Sequence, residues 1–432
     1  LGDVYKRQDR HRPSPVMSGS QTTGLCQGRR LATDLFRAGL AATAGDTRVE
    51  AFLAEHEPDG MVSVVAIGKA ASAMASGSIH ALGACLHRGL LITKTGHTTA
   101  SLRAARRFTC LEAGHPLPDR RSLAAGAQLL QYISDTPGDE ELLFLISGGT
   151  SSLVEVLVET ADLADLQRLN RWLLGSGLEI GTMNRIRRTV SGIKGGKLLG
   201  YLGEHPATAL LISDVPGDDP AIIGSGLLSP SVTVAELPDN LPDWLCRLAV
   251  DGGADTSAIT GQRPVSHYVI ARLQDALAAA SRSAREQGHN ARIVDSALQG
   301  DALEAGSCIA DYLRRQAPGV CLWGGETTVC LPPHPGRGGR NQSLALAAAI
   351  ALQDNADCVL LAAGTDGTDG PGEAAGAVVD GGTVSRGGGR QAALDALQRA
   401  DAGSFLDASG DLLVTGPTGT NVMDMVIGLK TG

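Results

Sequence analysis

Apolar positions along the chain fall into two recurring patterns. Across residues 33–56, Leu35, Phe36, Leu40, Val49, Phe52 and Leu53 repeat at helical spacing with a break near Gly45, which predicts two short helices. Val62 to Ile67 is a compact β-branched run that meets Gly68-Lys69 and then a small-residue segment, the order of strand, tight turn and helix. The same order returns downstream. Strands are predicted over 89–93, over 141–146 ending in Ser147-Gly148-Gly149, and over 207–212 ending in Ser213-Asp214. Two more are predicted over 320–323 ending in Gly324-Gly325-Glu326, and over 358–363 ending in Gly364-Thr365-Asp366-Gly367. Continuous apolar strands alternating with helices predict an α/β protein with mostly parallel sheets covered on both faces. In such sheets ligands bind beyond the carboxyl ends of the strands, where these Gly and Asp turns lie. A stretch over 229–266, rich in proline and glycine, marks the expected division into an N-terminal domain over 17–260 and a C-terminal domain over 261–432.

Composition narrows the class. Of 432 residues 56 are glycine, while Trp, Tyr and Phe together make only 3%. The glycines have no period of three and hydrophobic residues reach 43%, which excludes collagen-like and linker proteins. What remains is a globular chain whose many turns need close backbone approach. A net charge of -9 argues against nucleic acid as a partner but leaves room for a local basic pocket. The eight cysteines form no CxxC pair, so zinc and thioredoxin-type sites lack support, and Cys321 and Cys358 lie in apolar runs suited to reduced thiols. No apolar run suggests a membrane span and no signal peptide is visible, so the expected compartment is the cytoplasm. The string DVYKRQ over residues 3–8 resembles a translated sequencing adapter; residues 1–16 are expected to be non-native, with Met17 the start.

P-loop, nucleophile-elbow and HExxH patterns are absent, and a GxGxxA match at Gly370, Gly372 and Ala375 follows an acidic turn rather than a strand. The candidate chemistry lies instead in a set of turns. Lys69 at a strand-to-helix junction adds a full charge to a helix N-terminus, a natural anion site. Ser147, Gly148, Gly149 and Ser151 offer amides and hydroxyls to an anionic group. NRIRRTVSGIKGGK gathers Arg185, Arg187, Arg188, Lys194 and Lys197. Such a run is ordinarily a solvated helix face, but its interleaved glycines make poor helix composition. Asp214, Asp218 and Asp219 follow a strand and suit either a hard cation or a Pro-Gly turn. Arg340 ends a glycine loop before Asn341, and Asp366 sits in an acidic turn. Two basic glycine loops, two acidic turns and a Ser-Gly nest at strand ends match the needs of phosphoryl transfer.

The segments GKAASAMA, EAGHPLPD, LISGGTSSL, MNRIRRTVSGIKGGKL, LISDVPGDDPAIIGSG, GGETTV, GRGGRNQSLAL, AAGTDGTDGPGEAAGA and TGPTGTNVMD resemble, in order, the motifs of the glycerate 2-kinase family with its C-terminal MOFRL segment. The resemblance runs from about Thr33 to Asp424. It implies a Rossmann-like N-terminal domain and a MOFRL-type C-terminal domain with the active site in the cleft between them. It also implies ATP-dependent phosphorylation of D-glycerate at the 2-hydroxyl, with Mg2+. Lys69 and Arg340 take the family's catalytic cations. On chemical grounds Asp214 and Asp218 are candidates for Mg2+ or for accepting the hydroxyl proton, with Glu326 and Asp366 second candidates for the same work. Arg187 and Lys194 are assigned to the glycerate carboxylate or nucleotide phosphates, and Glu326, Asn341 and Asp366 to binding. Expected partners are the small substrate and the nucleotide, with neither nucleic acid nor membrane, and self-association is left open. Thr150 and Ser152 depart from the family's usual Gly and Ala and are expected to reshape the anion pocket; Ser343 departs from a usual Glu. The competing readings are a hydroxypyruvate reductase and a non-catalytic binder of sugar acids or nucleotides.

Overall fold

The computed structural model describes residues 19–178, 180–229, 241–251, 264–295 and 297–431. The expected adapter segment and most of the expected boundary stretch lie outside the described residues. Two six-stranded sheets organise the rest. The first contains β1 (Val62–Ile67), β2 (Leu86–Lys94), β3 (Phe108–Ala113), β4 (Glu141–Ile146), β5 (Ala207–Ile212) and β6 (Ser266–Ala271) in the order β3-β2-β1-β4-β5-β6. All five of its ladders are parallel. β1 is buried along its whole length, as a strand covered by helices on both faces must be. The order reverses between β1 and β4, and this switch point opens a crevice at their carboxyl ends.

The second sheet contains β7 (Ala291–Ile293), β8 (Gly319–Gly325), β9 (Cys358–Gly364), β10 (Ala374–Asp380), β11 (Leu412–Val414) and β12 (Asp424–Lys430), ordered β11-β10-β9-β12-β8-β7. The α/β class and two-sheet architecture match expectation, and six of the ten strand pairings are parallel. The antiparallel ones are confined to this second sheet, where β10 and β12 run against their neighbours. Neither strand was visible as a reversal in the sequence, because direction is set by partners distant in the chain.

The helical break near Gly45 falls between the helices Gly19–Ala42 and Gly45–Glu55. The first of these does not stay with the first sheet. Its Leu25, Ala32, Leu35 and Phe36 share one buried cluster with Val359, Leu361 and Ile427 of the second sheet as well as Val64 of the first. Arg29 fastens it by ion pairs of 2.7 Å to Asp380 and 2.8 Å to Asp411. At the other end, residues 266–271, which the sequence assigns to the C-terminal half with a helix from Tyr268, form β6 and complete the first sheet by pairing with β5; the helix starts only at Leu273. A boundary at 260/261 therefore cuts through the first sheet. A turn-rich stretch marks where the chain leaves an element, not which sheet the next strand joins.

Within the second half, Gly306 lets the helix Ala302–Arg315 lie directly on Arg340–Ala351: an added Cβ would stand 2.2 Å from the Leu344 carbonyl oxygen. The clash is with backbone, which cannot step aside. Gly306→Ala should destabilise the fold by about 1–3 kcal/mol, seen as a lower urea midpoint, with the affinity of the cleft for its ligands unchanged.

Candidate active site

The site is built from turns at the carboxyl edges of both sheets. After β1, the chain turns at Gly68 and Lys69 into the helix Ala71–Leu82, as the sequence predicts. Gly68 has a φ of +130°, and a Cβ there would lie 2.2 Å from Ser147 Oγ. That proximity binds the two switch-point turns together. The Ser147 hydroxyl accepts the Ala70 N–H at 3.1 Å, and the Gly148 carbonyl accepts the Lys69 N–H at 2.9 Å. After β5, Asp214 comes so close that a Cβ on Gly148 would sit 1.7 Å from its Oδ2.

The second sheet faces these turns. Glu326 follows β8 and Asp366 follows β9. Because β12 is antiparallel, its first residue, Asp424, pairs with Gly325 and Gly364 and reaches the same edge. Two contacts join the halves here: Lys69 Nζ donates to Asp366 Oδ2 at 2.6 Å, and Asn421 Nδ2 donates to Asp214 Oδ2 at 3.1 Å. Arg340 opens the helix Arg340–Ala351, where its charge opposes the helix dipole. Carboxylates compensate. Its Nε donates to Asp424 Oδ2 at 2.5 Å and its Nη2 to Glu326 Oε1 at 2.6 Å. Asp369 accepts the Asn341 and Gln342 N–H groups at 3.0 and 2.8 Å, capping the helix from below.

Charge states follow from burial and pairing. Burial opposes the charge of Lys69, but Asp366, with Asp214 and Glu326, outweighs it and holds the ammonium above its ordinary range. Burial likewise disfavours the Asp366 carboxylate, yet Lys69 and the Thr368 hydrogen bonds keep it below the usual value. The Asp214 carboxyl is pushed up by burial, only partly offset by Lys69. Glu326 is pushed up to about 7, first by desolvation, then by the like charges of Asp424 and Asp214 against Arg340. Its side chain nonetheless keeps 43% of its surface accessible to water. Asp369 rises to about 6, chiefly by burial.

The structure thus gathers Lys69, Asp214, Glu326, Arg340 and Asp366 against Gly148 and Gly149, with Asn341 fixing Arg340 through the Asp369 cap. Other candidates are placed elsewhere. Lys194 is buried in an ion pair with Glu155 and donates to the Ser151 carbonyl at 2.9 Å, so its charge is already neutralised inside the fold. Arg187 donates to Asn184 at 3.2 Å, and burial lowers its proton affinity. Ser151 Oγ accepts from Ser225 Oγ at 3.0 Å. The basic run around them is not a solvated face: Arg188 and Lys197 satisfy backbone carbonyls of Ala221, Arg188 and Ser191, while Arg185, Arg187 and Arg188 each keep a buried Nε without a partner among the described residues. Asp218 turns to Arg272 at 3.5 Å rather than joining Asp214. Ser147 spends its hydroxyl on backbone. Thr150, expected to reshape the pocket, is fully buried and bonds the Ser147 and Ile67 carbonyls. Ser152 and Ser343 likewise bond the Gly149 and Gly339 carbonyls. Asp369, Asn421 and Asp424 were missed, although each lies inside a recognised motif; their roles depend on contacts across the sheets.

Known proteins resemble this chain over nearly its whole length. Residues 319–424 match the MOFRL family, and residues 31–243 match a family described as a domain of unknown function (DUF4147). A D-glycerate 2-kinase from Thermotoga maritima is 36% identical over 93% of this chain and 98% of its own. The chain belongs to the glycerate 2-kinase family. A crystal structure of a glycerate kinase from Thermotoga maritima superposes with a TM-score of 0.78, at 34% identity, over 94% of this chain and all of the other. A family member from Agrobacterium vitis, 35% identical over 92% of this chain and 93% of its own, carries a provisional hydroxypyruvate reductase name. In this chain the dinucleotide-like match at Gly370 to Ala375 runs into strand β10 and not into a helix N-terminus that could hold a pyrophosphate.

The raised Glu326 carboxyl has a consequence for stability. Between its ordinary 4.5 and about 7, the folded protein keeps a proton that the unfolded chain has released. Folded stability therefore falls as pH rises through that window. Urea midpoints recorded across it should decline less steeply for Glu326→Gln than for the parent; an identical slope would assign the proton to another group.

Proposed function

We propose that this chain transfers the terminal phosphoryl group of ATP to the 2-hydroxyl of D-glycerate, giving 2-phosphoglycerate and ADP. The observation that carries the reading is the convergence of Lys69 and Arg340, each held by buried carboxylates, on facing sheet edges. Phosphoryl transfer demands little covalent help but strong stabilisation of charge on the transferring oxygens. Cations fixed in a dehydrated cleft supply it without reorganising at the moment of reaction. Asp214, whose burial raises its proton affinity, is the group we assign to accept the hydroxyl proton.

Mg2+ enters as part of the nucleotide substrate. Among the described residues no three His, Cys, Asp or Glu side chains form a ready metal cage. The carboxylate oxygens of Asp214 and Glu326 are a donor set that suits a hard cation completing its shell with phosphate and water. Asp214 and Glu326 are the residues we assign to it, in place of Asp214 with Asp218. Among the described residues no helix is long and apolar enough to cross a membrane. A cytoplasmic setting, where ATP is supplied, goes with this reading.

The deciding experiment is a coupled assay with ATP, Mg2+ and D-glycerate in which the product is identified as the 2- or the 3-phosphate. Oxidation of NADH by hydroxypyruvate without ATP would instead favour a reductase. For a kinase, Lys69→Ala should lower kcat by about 100-fold or more while leaving a cooperatively folded protein; unchanged kcat would remove Lys69 from the mechanism. Arg340→Lys should also be severely impaired, because an ammonium cannot hold Asp424 and Glu326 with a planar fork. Near-parent turnover in that variant would show that charge alone suffices.

A further inference from the structure

The carboxyl ends of β2 and β3 carry basic side chains that the reaction above leaves unused. The strand register pairs Ile67 with Ile92 and Lys94 with Ala113, so Lys94 and the nearby His115 flank the Gly68-Lys69 turn. Hydrogen bonds hold this flank in place. Thr93 Oγ1 donates to the Gly68 carbonyl at 2.9 Å, and the Thr95 N–H donates to the Ala113 carbonyl at 3.3 Å. The His97 N–H donates to the Lys94 carbonyl at 3.0 Å, and Ser72 Oγ donates to the His97 carbonyl at 2.7 Å, folding His97 back over the first turn of the helix that follows Lys69. On the other side, a Cβ at Gly149 would touch both Lys69 Cγ at 3.0 Å and the His115 ring at 3.3 Å.

These side chains act on one another. His115 is pushed down to about 3 by burial, then by Lys69 and Lys94. His97 is lowered by burial and Lys94, and Lys94 by burial and Lys69. Both imidazoles are therefore neutral near pH 7. Lys69 is paired with Asp366, whereas among the described residues Lys94 forms no ion pair and donates no hydrogen bond. The His97 Nδ1 is buried and has no hydrogen-bond partner there either. Buried polar groups are normally satisfied, so this nitrogen calls for a partner that the chain itself does not supply, a water or a ligand.

We propose that Lys94, His97 and His115 form the subsite for the carboxylate of the hydroxy-acid substrate, beside Lys69. This rests on the reading of the cleft as a hydroxy-acid kinase site. One unpaired ammonium with two neutral imidazoles matches a single monoanion. A nucleotide polyphosphate needs several cations, and its place is the carboxylate-lined side with Mg2+. The subsite also gives selectivity: it would reject glycerol, which has the hydroxyls of glycerate but no carboxylate to bring to Lys94.

The test is direct binding of D-glycerate by titration calorimetry without nucleotide, together with KM for D-glycerate and for MgATP. Lys94→Ala should weaken D-glycerate binding at least tenfold and raise its KM to match, with KM for MgATP within twofold, and Lys94→Arg should restore part of the loss. D-glycerate affinity within twofold of the parent in a folded Lys94→Ala protein overturns the proposal, as does a loss that falls on MgATP instead. Should Lys94→Ala give no cooperative melt, His97→Leu is judged by the same two results. Binding of D-glycerate that depends on Lys94 but leads to no phosphorylated product would overturn the kinase reading while supporting the subsite.

Discussion

The contact between Lys69 and Asp366, residues 297 apart in sequence, is the constraint around which the site is arranged. An ammonium with 19% of its side chain exposed cannot stay charged without a close counterion. Its partner comes from the other sheet, so the carboxyl edge of β1 and that of β9 must face each other. Asn421 holding Asp214 repeats the link a few residues away. The switch point of the first sheet and the acidic edge of the second are thereby fixed as two walls of one cleft.

The antiparallel strands of the second sheet serve the same end. In an all-parallel sheet, only residues following strands reach the carboxyl edge. Reversing β12 brings a residue that opens a strand, Asp424, to that edge between the ends of β8 and β9. There it meets Arg340, whose place at the start of a helix would otherwise be unfavourable. Asp369 takes the orphan amides that the arginine cannot, so charge and backbone are satisfied by separate carboxylates.

Local chemistry was legible in the sequence where neighbours in the chain decide it. The turn at Gly68-Lys69, the helix break near Gly45 and the Asp366 turn follow from strand-end glycines and helical spacing. What could not be read was pairing between distant residues. Lys194 looks like a free cation in its glycine loop, yet it is consumed by Glu155, 39 residues earlier. Asp214 and Asp218 look like a pair, but the turn sends one to the cleft and the other to Arg272. Thr150 looks like an intrusion into an anion pocket and is instead a buried donor to backbone carbonyls. The assignment of β6 to the first sheet and of helix Gly19–Ala42 to the second is likewise a matter of which surface buries which apolar face.

Charge balance explains why the two ends of the cleft differ. Lys69 and Arg340 stand against Asp214, Glu326, Asp366 and Asp424, so the centre is short of positive charge before any phosphate arrives. The raised proton affinities of Asp214 and Glu326 come first from desolvation, with that excess of like charge added to it. On the proposed reaction a polyphosphate can enter such a centre only with its own divalent cation, which turns carboxylates that would repel it into ligands. On the proposed subsite the β2–β3 flank differs: among the described residues Lys94 has no ion pair there, Glu112 is turned to the Gly96 and Thr98 amides, and no metal is needed to take a carboxylate. On these proposals the metal stays with the phosphates and away from the acid group of the acceptor, leaving the hydroxyl between them as the nucleophile.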